Sequence, residues 1–384
     1  MTTTESRTLP TPDLSPAALG AVTAEIAATA ERYDRSGEIP WDGLAAAHRA
    51  GLLTATVAAE YGGPGLGPLE VARILVAIGE GDASVALLVA NTLGGHQAQA
   101  VARHWPEAAY ADLLARSVEG PALVNTIRAE PELGAPARGG LPATTATRVG
   151  DAWVVNGRKA FATGGEALAY HLVWAVTDDG RVGHLVVPGD APGITWIKTW
   201  DHLGLRASNT HDVVYDGVEV PAANFVEIPR VDGRYVDPAA TPSVWGLGHA
   251  ALYIGVARAA RAAFADFATT RVPTALGRPI ATTERIQTVA GEIDTHITIA
   301  ETLLAGGISR VVDGDDAGHL AAVKVAIARS VVEAVQTAVG ALGNAALTRR
   351  RPLERHLRDV LCVRVHPPQE DVVLLTAGRR VLGI

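Results

Sequence analysis

Leu203-Gly204-Leu205-Arg206-Ala207-Ser208-Asn209-Thr210, leading into Asp212-Val213-Val214-Tyr215-Asp216-Gly217-Val218-Glu219-Val220-Pro221, is the stretch on which the fold turns. A polar, glycine-bearing loop hands over to a run of β-branched and aromatic residues that suit a pleated, half-buried strand. Asp216-Gly217 inside that run predicts a two-residue hairpin turn, and so does Asn156-Gly157 upstream, which follows Trp153-Val154-Val155. With Thr144-Thr145-Ala146-Thr147 added, the region 121–231 is expected to be an antiparallel β domain.

Helical spacing lies on both sides of it. Upstream, Ser15 is an N-cap with Pro16 in the first helical position. Val71, Ile74, Leu75, Ile78, Val85 and Leu88 recur at helical intervals, with a break at Gly81-Asp82. Downstream, Ile286, Val289, Ile293, Ile297 and Ala300 form one apolar stripe, and Leu320, Val323, Ile327, Val331 and Val335 form another. Long apolar helices of this kind pack on each other as a bundle. The expected fold class is therefore α+β: an N-terminal helical domain (1–120), the middle antiparallel β domain (121–231) and a C-terminal four-helix bundle (232–384).

The composition limits what such a chain does. With 384 residues, 48% hydrophobic and 19% charged, it can bury a large core and still leave apolar surface for subunit contacts, so an oligomer is expected. The net charge of -8 argues against nucleic-acid binding, which relies on basic surface. One cysteine, Cys362, and 12 histidines give neither CxxC nor HExxH spacing, so no metal site is expected. A single cysteine forms no internal disulfide and suits a reducing cytoplasm; Met1 to Asp13 lacks the pattern of a secretory signal. No run reads as a membrane span.

The order of the zones and several local motifs resemble the acyl-CoA dehydrogenase superfamily over nearly the whole chain. Glu60-Tyr61-Gly62-Gly63-Pro64-Gly65-Leu66-Gly67 with Asp82-Ala83-Ser84-Val85-Ala86 is similar to its helical-domain signature. Val155-Asn156-Gly157-Arg158-Lys159-Ala160-Phe161-Ala162-Thr163 resembles the segment beside the flavin ring. The resemblance implies that Phe161 packs on the flavin and Thr163 hydrogen-bonds its N5 edge. In the opening stretch it leaves two roles for Arg206 and Ser208, holding the cofactor or ordering the loop. Glu130-Pro131-Glu132-Leu133-Gly134 is similar to a Thr-Glu-Pro loop near the flavin, with Ala129 in place of the threonine. Arg271 and Gln287 resemble the segment that reaches a neighbouring subunit's flavin phosphates, where a planar guanidinium binds two oxygens at once. Gly343 falls at a turn near the cofactor's adenylate half. The implied cofactor is FAD, with FMN as the other candidate, and the implied assembly is a homotetramer built as a dimer of dimers.

The chain departs from dehydrogenases where they carry their base. Removing an α-proton requires a carboxylate within reach of that carbon. Aligned on Arg358-Asp359, the expected glutamate position is Pro367 in His366-Pro367-Pro368, and the alternative position in the superfamily falls near Trp245. Glu370 and Asp371 belong to the start of a following helix, facing solvent or its positive N-terminus. His366, His96 after Gly94-Gly95, and Asn125 together resemble the superfamily's flavin-dependent monooxygenases, of the dibenzothiophene monooxygenase type. That branch uses reduced flavin from a separate reductase, together with oxygen, on a small-molecule substrate. His366, Asn125, Thr163 and His96 are the catalytic candidates, acting on an apolar or aromatic substrate. An acyl-CoA dehydrogenase or desaturase with a relocated base is the second reading, and a non-catalytic member of the superfamily the third.

Overall fold

The computed structural model describes residues 9–133, 140–232, 234–237 and 247–384. Five helices open the chain: α1 (Pro16–Ser36), α2 (Trp41–Arg49), α3 (Pro68–Gly81), α4 (Ala83–Ala102) and α5 (Glu107–Glu119). Ser15 caps α1 by accepting from the Ala18 amide at 3.3 Å. The break at Gly81-Asp82 is a helix start: the Asp82 carboxylate accepts from Ser84 N at 2.6 Å and Val85 N at 3.2 Å, satisfying amides that have no partner inside α4.

The middle of the chain forms β1 (Leu123–Ile127), β2 (Thr145–Val149), β3 (Ala152–Ala162), β4 (Leu168–Thr177), β5 (Val182–Pro188), β6 (Ile194–Ile197), β7 (His211–Pro221) and β8 (Phe225–Glu227). A small ladder of β9 (Arg230–Val231) and β10 (Arg234–Tyr235) follows. The large sheet runs β6-β7-β3-β2-β4-β5-β8, with β1 also on β4. It is mixed rather than purely antiparallel, because β1 and β2 share one edge of β4 and both run parallel to it. Sequence patterning gives a strand's faces and not its neighbours' direction, so this was invisible.

The two hairpin signals also resolve differently. Asn156-Gly157 lies inside β3 and Asp216-Gly217 inside β7; Gly157 pairs with Tyr215, and Asn156 faces the Asp216-Gly217 bulge, where Gly217 N donates to Asn156 Oδ1 at 2.8 Å. Gly217 has φ 64, a left-handed value that serves a bulge as well as a turn. The turn that joins β2 to β3 is at Gly150-Asp151, where Val149 pairs with Ala152.

The C-terminal part consists of α6 (Gly248–Thr270), α7 (Glu284–Val312), α8 (Leu320–Leu342), α9 (Leu353–Leu361) and α10 (Glu370–Leu382). α6, α7, α8 and the short α9 pack on one another, with α10 against α8. Ile286, Ile293, Ile297, Leu320, Ile327, Val331 and Val335 of the two predicted stripes are buried there. The segment Ala317–Ala345 is long and apolar enough to cross a membrane, with a mean hydropathy of 1.4, although the sequence was read as having no such run. In the fold it is the central helix of the bundle, its apolar residues taken up by α6, α7 and α9. α6 also crosses α3 at two glycines: a Cβ on Gly79 would stand 2.1 Å from Leu252 O, and one on Gly255 2.2 Å from Val76 O. That close crossing joins the N-terminal helices to the bundle and leaves α4 and α6 bordering the same cleft as the sheet.

Candidate active site

A cleft of about 510 Å³ opens between the sheet and the helices. Its sheet side consists of Asn125 and Thr126 from β1, Arg128 and Ala129 just beyond it, Ala160 and Phe161 from β3, and Thr163. Across from them stand Leu87, Asn91, Gly94, Gly95 and Ala98 of α4, His249 of α6, and His366-Pro367.

Phe161 is the most unusual residue of the sheet wall. It is 58% exposed and has φ 56, a left-handed conformation that strains a residue with a Cβ. The pairing of β3 with β7 shifts register between Lys159 and Ala162, and this swings the ring out of the sheet into the cleft. Beneath it runs a chain of buried hydroxyls: Ser208 Oγ lies 2.7 Å from Thr210 Oγ1, which donates to Thr163 Oγ1 at 3.1 Å. With its oxygen accepting from Thr210, Thr163 keeps its own proton to donate into the cleft. Asn125 Nδ2 donates to Thr163 O at 3.0 Å, so β1 and the end of β3 are fixed to each other.

The opening sequence stretch holds this wall from behind. Ser208 is fully buried below Thr163, and its carbonyl accepts from Gly164 N at 3.0 Å. Arg206 does not line the cleft; its Nε donates to Asp34 O at 2.9 Å, tying the loop to α1. Of the two roles left open for these residues, both take part in ordering the loop. Leu205 N donates to Asp359 Oδ1 at 2.8 Å, which attaches the same loop to α9.

On the helical side, His366 Nδ1 is 3.3 Å from Tyr253 OH, and its ring stands edge-on to His249 with centroids 5.3 Å apart. His249 Nε2 in turn is 3.3 Å from Asn91 Oδ1. Burial, the neighbouring His249 and Lys324 push the His366 pKa down to about 3, and burial with Lys324 pushes that of His249 down to about 4. Both imidazoles are neutral at pH 7, able to donate from one nitrogen and accept at the other. At the end of the cleft, Arg128 is ion-paired with Asp237, and its Nε lies 3.2 Å from His184 Nε2.

His96 sits elsewhere. It is fully buried with Nδ1 3.1 Å from Tyr110 OH, its Nε2 has no partner among the described residues, and burial lowers its pKa to about 4. Gly94 and Gly95 face the cleft in its place. Arg271, Gln287 and Gly343 do not line the cleft within one chain: Arg271 ends α6, Gln287 Nε2 donates to Ala281 O at 3.1 Å, and Gly343 ends α8 with φ 57. Glu130 of the flavin-loop motif points inward to Lys159 at 2.7 Å. Gly134 and Trp245 lie outside the described residues.

Sequence reasoning missed His249, Asn91 and the Arg128–Asp237–His184 group. His249 follows Trp245 by four residues in sequence, and Leu87, Asn91, Gly94, Gly95 and Ala98 recur on one helical face. The Arg128 group carried no such signal, since it gathers residues from three separate segments.

The three-part architecture, with its cleft between sheet and bundle, is that of the acyl-CoA dehydrogenases. Models of their N-terminal, middle and C-terminal domains match residues 15–120, 126–218 and 247–368, and the chain belongs to this family. It is 30% identical over 365 residues to the putative acyl-CoA dehydrogenase YdbM of Bacillus subtilis, covering 93% of each chain. It is 31% identical over 372 residues to the L-evernosamine nitrososynthase of a Micromonospora species, covering 89% of this chain and 83% of that one. Among solved structures it superposes on KijD3, in complex with FMN and an amino-keto deoxysugar nucleotide, with a TM-score of 0.79 and 26% identity over 99% and 97% of the two chains.

Proposed function

We propose that this chain is a flavin-dependent oxygenase of small molecules. The observation that carries the reading is the absence of a free carboxylate in the cleft. Among the described lining residues the one carboxylate is Asp237, which Arg128 holds. Of the segments outside the described residues, 134–139, 233 and 238–246 contain no Asp or Glu, and 1–8 contains only Glu5. α-Proton removal from an acyl-CoA therefore lacks its base, whereas oxygen transfer does not need one.

The sheet wall suits a flavin. An exposed aromatic ring held in a strained conformation and a buried hydroxyl with its proton free match a planar heterocycle with a hydrogen-bonding edge, as the FMN complex of KijD3 also suggests. FAD and FMN share that ring; Phe161 and Thr163 would hold it, and Asn125 fixes the backbone beside it. Bound there, a reduced flavin would supply the two electrons with which one oxygen atom enters the substrate and the other leaves as water. The protein's part is to exclude water, to donate from Thr163, and to offer the neutral His366 imidazole as a hydrogen-bonding group. Arg271 and Gln287 are assigned to a neighbouring copy's flavin in a homotetramer and Gly343 to the adenylate half of the cofactor, and a separate reductase supplies the reduced flavin. His96 supports α4 from its far side.

The test is to load the protein with FMN or FAD and mix it without oxygen with short- and medium-chain acyl-CoAs. The flavin should stay oxidised. The reduced, loaded protein mixed with oxygen should then reoxidise through an absorbance transient that outlives free reduced flavin. Bleaching by an acyl-CoA would overturn the oxygenase reading in favour of a dehydrogenase. Failure to retain either flavin would favour a non-catalytic role.

A further inference from the structure

We infer that the α4 wall selects the substrate: Gly94 makes room for a ring-sized body, and Asn91 with His249 recognises a hydroxyl or amino group on it. This rests on the reading that flavin and substrate share the cleft.

Gly94 lies within the 20-residue helix α4, where glycine is the poorest helix former after proline. A Cβ built there meets nothing within 4 Å, although Gly94 lines the cleft. Gly95 differs, because its Cβ would stand 3.2 Å from Val124 Cγ1, so packing against β1 explains it. Packing does not explain Gly94. Its effect is an open wall, which Ala98 one turn later continues. A thin acyl chain does not need that width.

One turn before Gly94, Asn91 presents its Oδ1 to His249 Nε2 at 3.3 Å. If the imidazole donates there, both hydrogens of the Asn91 amide remain for a ligand. An apolar chain bound against them would leave a half-buried donor unsatisfied, which is unfavourable. The wall carries no cationic side chain, and Arg128 across the cleft is committed to Asp237, so nothing here singles out an anion. A group that both accepts and donates, a hydroxyl or an amine, satisfies Asn91 and the neutral imidazoles together.

Calorimetric titration of the FMN-loaded, oxidised protein with 2-naphthol, 2-naphthylamine and naphthalene tests this without any turnover. The hydroxyl and amino probes should bind about tenfold more tightly than naphthalene, and Asn91→Leu should abolish that preference. Gly94→Leu should weaken all three probes at least tenfold. Gly94→Ala, which favours the helix, should raise the unfolding temperature and weaken binding by less. Equal binding of naphthalene and 2-naphthol, a preference that survives Asn91→Leu, or unchanged binding in both Gly94 variants would each overturn the inference. Because no oxygen chemistry is read, flat binding leaves the oxygenase proposal standing, and bleaching by acyl-CoA leaves a measured ring preference standing.

Discussion

The two walls of the cleft are each backed by a buried lysine, and the lysines are held in different ways. Behind the sheet wall, Lys159 is fully buried, donates to Glu130 Oε1 at 2.7 Å and lies 5.8 Å from the Trp174 ring. Glu130 also accepts from Ala143 N, Thr144 N and Thr144 Oγ1, so the ammonium meets a carboxylate that is itself saturated. Burial would raise the Glu130 pKa; the hydrogen bonds from Lys159, Thr144 and Ala143 outweigh it and hold the carboxyl below its ordinary range. Behind the helical wall, Lys324 is equally buried and, among the described residues, donates to backbone carbonyls, those of Val363 at 3.0 Å, His366 at 2.8 Å and Pro368 at 3.2 Å. An ion pair ties β3 to the segment that follows β1. A lone ammonium gathers one turn of chain around itself. The wall that suits the family's shared cofactor is backed by paired charges, whereas on the helical side the His366-Pro367 turn is gathered around one ammonium, with α4 and α6 held by helix packing.

The largest effect expected from breaking this contrast is on the sheet side. Glu130→Gln leaves the Lys159 ammonium buried without a counter-charge and should lower stability by about 3–5 kcal/mol, read by chemical denaturation. The Lys159 pKa is lowered by burial to about 8, with Glu130 opposing the shift, so the unfolded chain holds that proton more tightly. The Lys159 contribution to stability is therefore full above about 10.5 and declines as pH falls through about 8. In Glu130→Gln that decline should continue to lower pH; a variant with the same pH profile as the parent would show that the pair does not set it.

Lys324→Met should have a smaller effect, about 1–3 kcal/mol, because it strands carbonyls rather than a charge. Hydrogen exchange should show the loss confined to the Val363–Gln369 turn, with the amides of β1 and β3 unchanged. Protection lost equally from both walls would mean that they are not independently held.

The third effect appears on acidification. The lowered pKa values of His366 and His249 mean that the unfolded chain binds protons the folded chain refuses, so stability present above about pH 6.5 is lost as pH falls toward about 4. Each such group contributes at most about 1.4 kcal/mol per pH unit in that window. His366→Gln should flatten the dependence of unfolding free energy on pH by about that much, while leaving stability at pH 8 within about 1 kcal/mol. An unaltered slope would show that His366 is accessible and titrates as it does in the unfolded chain.

Much of the fold was legible because periodicity and capping are local. Ser15 and Asp82 announce helix starts wherever the chain goes, and most of the stripes from Ile286 and Leu320 bury as they read, with Val289 and Val323 half-buried. The facing pairs Asn156-Gly157 and Asp216-Gly217 misled for the same reason: a glycine at positive φ signals a tight local bend and does not say whether a turn or a bulge uses it. In the site, Phe161, Thr163, Asn125 and His366 were legible as positions in a motif and come together in one cleft. His96 was legible only as a histidine after two glycines; one residue on a helix turns the side chain by about 100°, which places Gly95 on the cleft wall and His96 in the core.

By itself, then, the sequence determined the order of helical and β regions, the loop from Leu203 to Thr210 that supports Thr163, and the presence of Pro367 between His366 and Pro368. Each is a property of neighbouring residues or of a single position. The pairing of β1 with β4, the union of Asn91, His249 and His366, and the two lysines behind the walls were decided only by tertiary structure. These join residues tens to hundreds of positions apart, whose proximity follows from how sheet and bundle pack, and no local pattern encodes that distance.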